Sequence, residues 1–110
     1  MMNDSYYEIA FELISNAGDS KSYSMMSIEA AREFDFEKAY NNLKIAEKKL
    51  HEAHQVQTKM IQQEANGEKV DVNIILVHAQ DHLTTAMILK DQADEFLHLY
   101  KLINSIIKKK

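Results

Sequence analysis

An all-α fold of three long helices is predicted by three observations. Turn chemistry is confined to two interior places, only two glycines and no proline occur in 110 residues, and the apolar residues between the turns recur at helical spacing. A fold of many short strands needs a turn after each of them, so a β-sandwich or β-barrel is excluded. The length suits a single domain, 1–110, with one core.

The first helix is expected from Ser5 to Phe34. Its seam, Tyr6, Ile9, Leu13, Ala17, Ser20, Ser24, Ser27, Ala31 and Phe34, turns small and polar in the middle. Either the helix axes come close there or another group fills the space. Phe11, Ile14 and Met25 lie off that seam and form a second apolar patch, which one subunit cannot easily cover and which reads as an oligomer contact.

Asp35 is the expected N-cap of the second helix, followed by Phe36, Glu37 and Lys38. This helix should continue through Ala65, where Asn66 and Gly67 tolerate a left-handed C-cap. Phe36, Ala39, Tyr40, Leu43, Ala46, Leu50, Ala53 and Met60 make its seam, flanked by the charges of Glu47, Lys48 and Lys59. The third helix should start after Asp71, another N-cap candidate, and run nearly to the end. Ile74, Val77, Ile88, Phe96, Leu99, Ile103 and Ile106 fall within about 60° of one line at helical spacing, which predicts a buried seam. Leu89, Ala93 and Tyr100 widen it, and Lys90, Asp94, Lys101 and Lys108 should face water. Helices of roughly 30 residues are about 45 Å long, so the chain reads as antiparallel rods in a coiled-coil-like bundle.

Composition removes several function classes. Without cysteine there is no disulfide framework, thiolate zinc site or cysteine nucleophile, which fits a reducing compartment. Two isolated glycines cannot write a P-loop or a dinucleotide fingerprint. A formal charge of -4 makes nucleic acid an unfavoured partner. The run Lys108, Lys109 and Lys110 reads as a solvated helix end facing the negative pole of its dipole. Met1 to Tyr7 contains Asp4 and lacks an apolar run of signal length, and no stretch approaches about 18 apolar residues, so a cytoplasmic location is expected.

The informative stretch is Val77-His78-Ala79-Gln80-Asp81-His82-Leu83. Relative to Ile74, His78 lies at about 40°, His82 at about 80° and Asp81 at about 340°, all on the expected apolar side. Ionisable groups there are costly unless clustered with one another, with a metal, or on an opening to solvent. A lone core histidine is usually a satisfied structural residue, but three ionisable groups at i, i+3 and i+4 point to use. His51 and His98 read as surface residues, and His54 reads as a satisfied core histidine that could approach the cluster. Two chemistries suit the cluster. His78 and His82 could chelate one metal ion, or a neutral histidine could accept a phosphoryl group while Gln80 and His82 hold its oxygens. A scaffold in which the cluster is only a hydrogen-bonded network is the third alternative. Asp81 has no cationic partner on its own face. If three subunits packed around this seam, three copies of Asp81 would converge, and a magnesium-like ion on the axis would relieve their repulsion.

The stretch Ile75-Leu-Val-His78-Ala-Gln-Asp81-His82-Leu-Thr-Thr-Ala-Met87, followed by Leu89-Lys-Asp-Gln-Ala93, resembles the enzyme IIA component of the lactose/cellobiose family of the bacterial sugar phosphotransferase system. Ala17-Gly18-Asp19 with its following serines and Phe34-Asp35-Phe36-Glu37-Lys38-Ala39 extend the resemblance over nearly the whole chain. It implies a nine-helix homotrimer of three-helix subunits with the phosphorylated histidine at His78. It further implies that phosphate arrives from the phosphocarrier protein HPr and leaves to a cysteine of the IIB component, which phosphorylates a β-linked sugar such as cellobiose, lactose or chitobiose. One Mg2+ per trimer would be shared by the three copies of Asp81. Contact with the membrane would be only indirect, through the IIB and IIC components. Ala17, Gly18, Ser20 and Ser24 either line a groove for a carrier protein or serve close packing.

Overall fold

The computed structural model describes residues 4–109. Residues 1–3, the side chains of residues 4–6 and Lys110 lie outside the described residues, and with them the expected seam position Tyr6 and the last lysine of the basic run. Three helices follow one another: α1 (Asp4–Arg32), α2 (Phe36–Ala65) and α3 (Ile74–Lys108). They form a rod of 65 × 21 × 19 Å. Ser20 and Ser27 of α1 reach Ala46 and Ala39 of α2, while Glu47 and Gln57 of α2 reach Lys90 and Gln80 of α3. Rising numbers meet falling ones in both pairs, so consecutive helices are antiparallel. The helix α1 packs along both others, and α2 and α3 touch each other less. Among the described residues no helix is long and apolar enough to cross a membrane.

The ends follow capping chemistry, with two corrections. Asp35 caps α2 as expected, its carboxylate accepting from the Lys38 N–H at 3.2 Å, and Gly67 takes the left-handed conformation, φ 89°, after α2. Phe34, expected on the first seam, instead lies past the end of α1 with φ 62° and is exposed. There it plays the part usually given to glycine, letting the Asp35 N–H donate to the carbonyl of Ala30 at 2.9 Å. The cap of α3 is Asn73 and not Asp71: the Asn73 side-chain oxygen accepts from the Leu76 N–H at 3.0 Å.

Two apolar clusters lie towards the ends of the rod. Leu13, Met60, Leu76 and Leu83 anchor one, and Leu43 and Leu97 anchor the other. Between them Ser20, Ser24 and Ser27 are fully buried. The Ser20 hydroxyl donates to the Ala46 carbonyl at 2.8 Å and the Ser27 hydroxyl to the Ala39 carbonyl at 2.7 Å. A short side chain can reach a neighbouring backbone only when the helices are close, so Ser20 and Ser27 are explained by close packing against α2, whereas Gly18 has open space where a Cβ would stand. Ser24 Oγ and Asn42 Nδ2 are buried without a protein partner.

The expected seam of α3 needs a larger correction. Ile74 is 80% exposed and Ile88 53%, and Val77, Phe96, Leu99 and Ile106 are likewise open. The buried face is Leu76, Ala79, Leu83, Ala86, Ala93 and Leu97. Three alanines there let α3 approach its neighbours, whereas the bulky aliphatic residues that dominate the angular pattern form a second, outward stripe. Lys90 was expected in water, yet it lies in the inward register. Its ammonium is half-buried and pairs with Glu47 at 2.8 Å.

Candidate functional site

The second and third turns of α3 carry the site. Spacing of i, i+4 puts His78 and His82 one turn apart on adjoining surface, and their rings meet edge to face with centroids 4.6 Å apart. His78 is exposed and His82 half-buried. Lys21 of α1 places its ammonium 3.1 Å from His82 Nδ1. Burial lowers the His82 pKa below its ordinary 6.5, the positive Lys21 and neighbouring His78 push the same way, and Asp81 opposes them. His82 is therefore a neutral ring at physiological pH, and His78 offers an accessible imidazole beside it.

An open cleft of about 420 Å³ adjoins the pair, lined by Phe11 and Ile14 of α1 and by Ile74, Ile75, Val77, His78 and Asp81 of α3. The off-seam patch of α1 and the outward stripe of α3 thus form one apolar surface with the histidine and the acid on it. Asp81 is exposed, and among the described residues it makes no ion pair.

Gln80 is not brought to His78. Two residues along a helix turn the side chain by about 200°, and Gln80 instead accepts from Gln57 of α2 at 2.7 Å. His51 and His98 are exposed, the latter 3.8 Å from Asp94. His54 lines a different groove of α2 with His51, Gln55, Thr58 and Lys59 and does not join the cluster. Chelation by His78 and His82 is disfavoured electrostatically, because Lys21 already holds a positive charge at one His82 nitrogen. Among the described residues no three His, Cys, Asp or Glu side chains are gathered around a point fit for a metal.

Residues 8–101 match the family model described as PTS system, Lactose/Cellobiose specific IIA subunit. The chain belongs to this family. This IIA subunit is 43% identical over 102 residues to the lichenan-specific phosphotransferase enzyme IIA component of Bacillus subtilis, covering 93% of each chain. It is 35% identical to the N,N'-diacetylchitobiose-specific EIIA component of Escherichia coli, covering 89% of this chain and 84% of that one. Its fold matches the crystal structure of the cellobiose-specific enzyme IIA from Bacillus anthracis with a TM-score of 0.91 at 38% identity, covering 96% and 95% of the two chains. It also matches the IIA(chitobiose) of Escherichia coli, solved in complex with HPr, with a TM-score of 0.78 at 33% identity over 90% and 96% of the chains.

Two residues of this IIA subunit escaped the sequence reading, Lys21 and Gln57. Each reaches the motif on α3 from another helix. A signal for Lys21 was present, since it is the only basic residue among the first 31.

Proposed function

We propose that this IIA subunit accepts a phosphoryl group from HPr on His78 and passes it to a cysteine of its IIB component, in the uptake of a β-linked disaccharide of the cellobiose type. The observation that carries the assignment to His78 is its exposed ring, set edge to face against a half-buried His82 at the border of an open apolar cleft. The lone pair of a His78 ring nitrogen attacks the phosphorus of the carrier's phosphohistidine. The new N–P bond forms as the carrier's N–P bond breaks, and the electron pair returns to the carrier's imidazole. In the onward step the IIB thiolate attacks phosphorus, a S–P bond replaces the N–P bond, and His78 recovers its lone pair. The phosphoryl-holding role falls to His82, whose N–H can donate to a phosphoryl oxygen. Gln80, tied to α2, braces the helix instead. No nucleotide is needed, because the phosphoryl group arrives on a protein.

The outward stripe of α3 supports a homotrimer. Ile74, Val77, Ile88, Leu99 and Ile106 form an exposed line too apolar for a solvated face, and three copies around an axis would give a nine-helix assembly. Asp81 lies in that stripe. One exposed carboxylate cannot hold a divalent ion alone, but three symmetry copies supply the hard oxygen ligands that Mg2+ takes. The ion would offset their mutual repulsion and supply no chemistry to the transfer. The subunit works in the cytoplasm and meets the membrane only through IIB and IIC. The lichenan-specific relative and the cellobiose-specific fold match support the sugar class.

Incubation with phosphoenolpyruvate, enzyme I and HPr tests the proposal. The expected result is one acid-labile, alkali-stable phosphate per subunit that His78→Ala abolishes. Undiminished labelling of that variant would overturn it.

A further inference from the structure

We propose that Lys21 is a positioning residue of the transfer, occupying His82 Nδ1 so that His82 presents its hydrogen on Nε2 from a fixed ring. The inference rests on His78 as the phosphoryl acceptor and goes on to say what orders its neighbour. The Lys21 ammonium lies 3.1 Å from His82 Nδ1, across the gap between α1 and α3. An ammonium has three donors and no acceptor, so the ring nitrogen facing it must offer its lone pair. In the neutral ring the remaining hydrogen is then on Nε2. Water alone would leave both tautomers and several ring rotamers open.

Lys21 has no competing duty on the described surface. Asp19, the acid nearest to it along α1, turns to Lys49 of α2 at 3.9 Å. Among the described residues no carboxylate forms an ion pair with Lys21. A half-buried ammonium satisfied by an imidazole instead of a carboxylate is a poor stabilising device, because the acceptor carries no charge to offset desolvation. It is a good orienting device, since the second nitrogen of a functional histidine is what sets the tautomer and angle of the first. His82 in turn lies against the His78 ring at 4.6 Å between centroids. Lys21 therefore acts on the phosphoryl group through His82, and its charge adds to the positive field where the negative phosphoryl oxygens arrive.

The test uses the full-length protein, nitrogen-15 labelled, with Lys21→Met and Lys21→Arg. Two-bond proton–nitrogen correlation spectra of the histidine rings report which nitrogen carries the hydrogen. In the native protein His82 should show a bare, hydrogen-bonded Nδ1 and a protonated Nε2. Lys21→Met should move the ring signals to those of a free imidazole exchanging between tautomers, and Lys21→Arg, which keeps a donor, should restore the native pattern. Phosphoryl uptake from phospho-HPr should fall roughly 10- to 100-fold in kcat for Lys21→Met with KM little changed, and recover in Lys21→Arg. A native spectrum with the hydrogen on Nδ1 overturns the proposal, as does Lys21→Met with unaltered ring signals or an unaltered rate. The native spectrum needs no variant to fold. It is also independent of labelling at position 78, so a phosphate that persists in His78→Ala refutes the acceptor assignment separately.

Discussion

Replacing Ser24 by alanine should make the protein more stable, although the serine is fully buried in the middle of the bundle. Its hydroxyl has no protein partner, and an unsatisfied buried hydroxyl costs about 1–3 kcal/mol. Alanine also gains roughly 0.5 kcal/mol of helix propensity over serine, and losing one oxygen atom leaves only a small void. A net gain of about 1 kcal/mol would raise the thermal midpoint by roughly 4–8 °C for a domain near this size. Ser20 and Ser27, on the same stripe, carry the opposite expectation. Each loses a short bond to a carbonyl of α2, worth about 1 kcal/mol, against the same gain in propensity. Their alanine variants should melt at or slightly below the native midpoint. Circular dichroism melts at one fixed protein concentration make the comparison, since assembly would otherwise move the midpoint. If Ser24→Ala melts lower, in step with Ser20→Ala, the reasoning about the unpartnered hydroxyl is refuted.

Two further outcomes follow from charges in the wrong-looking places. The pKa of Lys90 is raised above 10.5, first by its hydrogen bond to Glu47. Because the folded value exceeds the unfolded one, its contribution is complete below 10.5 and is lost as pH climbs through the folded value; urea midpoints measured up an alkaline series should fall more steeply for the native protein than for Lys90→Met. Asp81→Leu should leave the proposed trimer intact or tighter without added magnesium, because a convergent carboxylate is replaced by an apolar contact. Sedimentation of that variant as monomers would contradict the reasoning that the apolar stripe holds the trimer and the acid only opposes it.

The three helices were legible because their breaks are chemical: Asp35 and Gly67 act locally, through a side-chain cap and a left-handed turn, and need no tertiary partner. The seams of α1 and α2 were legible over most of their length, from Leu13 to Ala31 and from Ala39 to Met60, because the heavier stripe there is also the inward one. Phe34 and Tyr40, expected on those seams, are exposed, since Phe34 lies past the end of α1 and the Tyr40 ring lies beside the ammonium groups of Lys44 and Lys101. The helix α3 has two stripes, and angular pattern alone weighted Ile74, Ile88 and Leu99 above Ala79, Ala86 and Ala93. Bulk marks hydrophobicity, whereas close helix contact inside the chain selects alanine, so the heavier stripe was assigned inward when it faces out. On a sequence wheel that outward stripe, the face assigned to the proposed trimer, looks the same as a core stripe. His78, Asp81 and His82 stood out as ionisable groups in an apolar run. Lys21 and Gln57 did not, since their partners are 61 and 23 residues away in sequence and no local rule links them.

The most direct test of the account is where the phosphate sits. After phosphorylation through HPr, proteolysis kept alkaline to preserve the N–P bond, followed by fragment mass spectrometry, should place one phosphate on His78. Phosphate on His51, His54, His82 or His98 instead, or on no histidine, would contradict it.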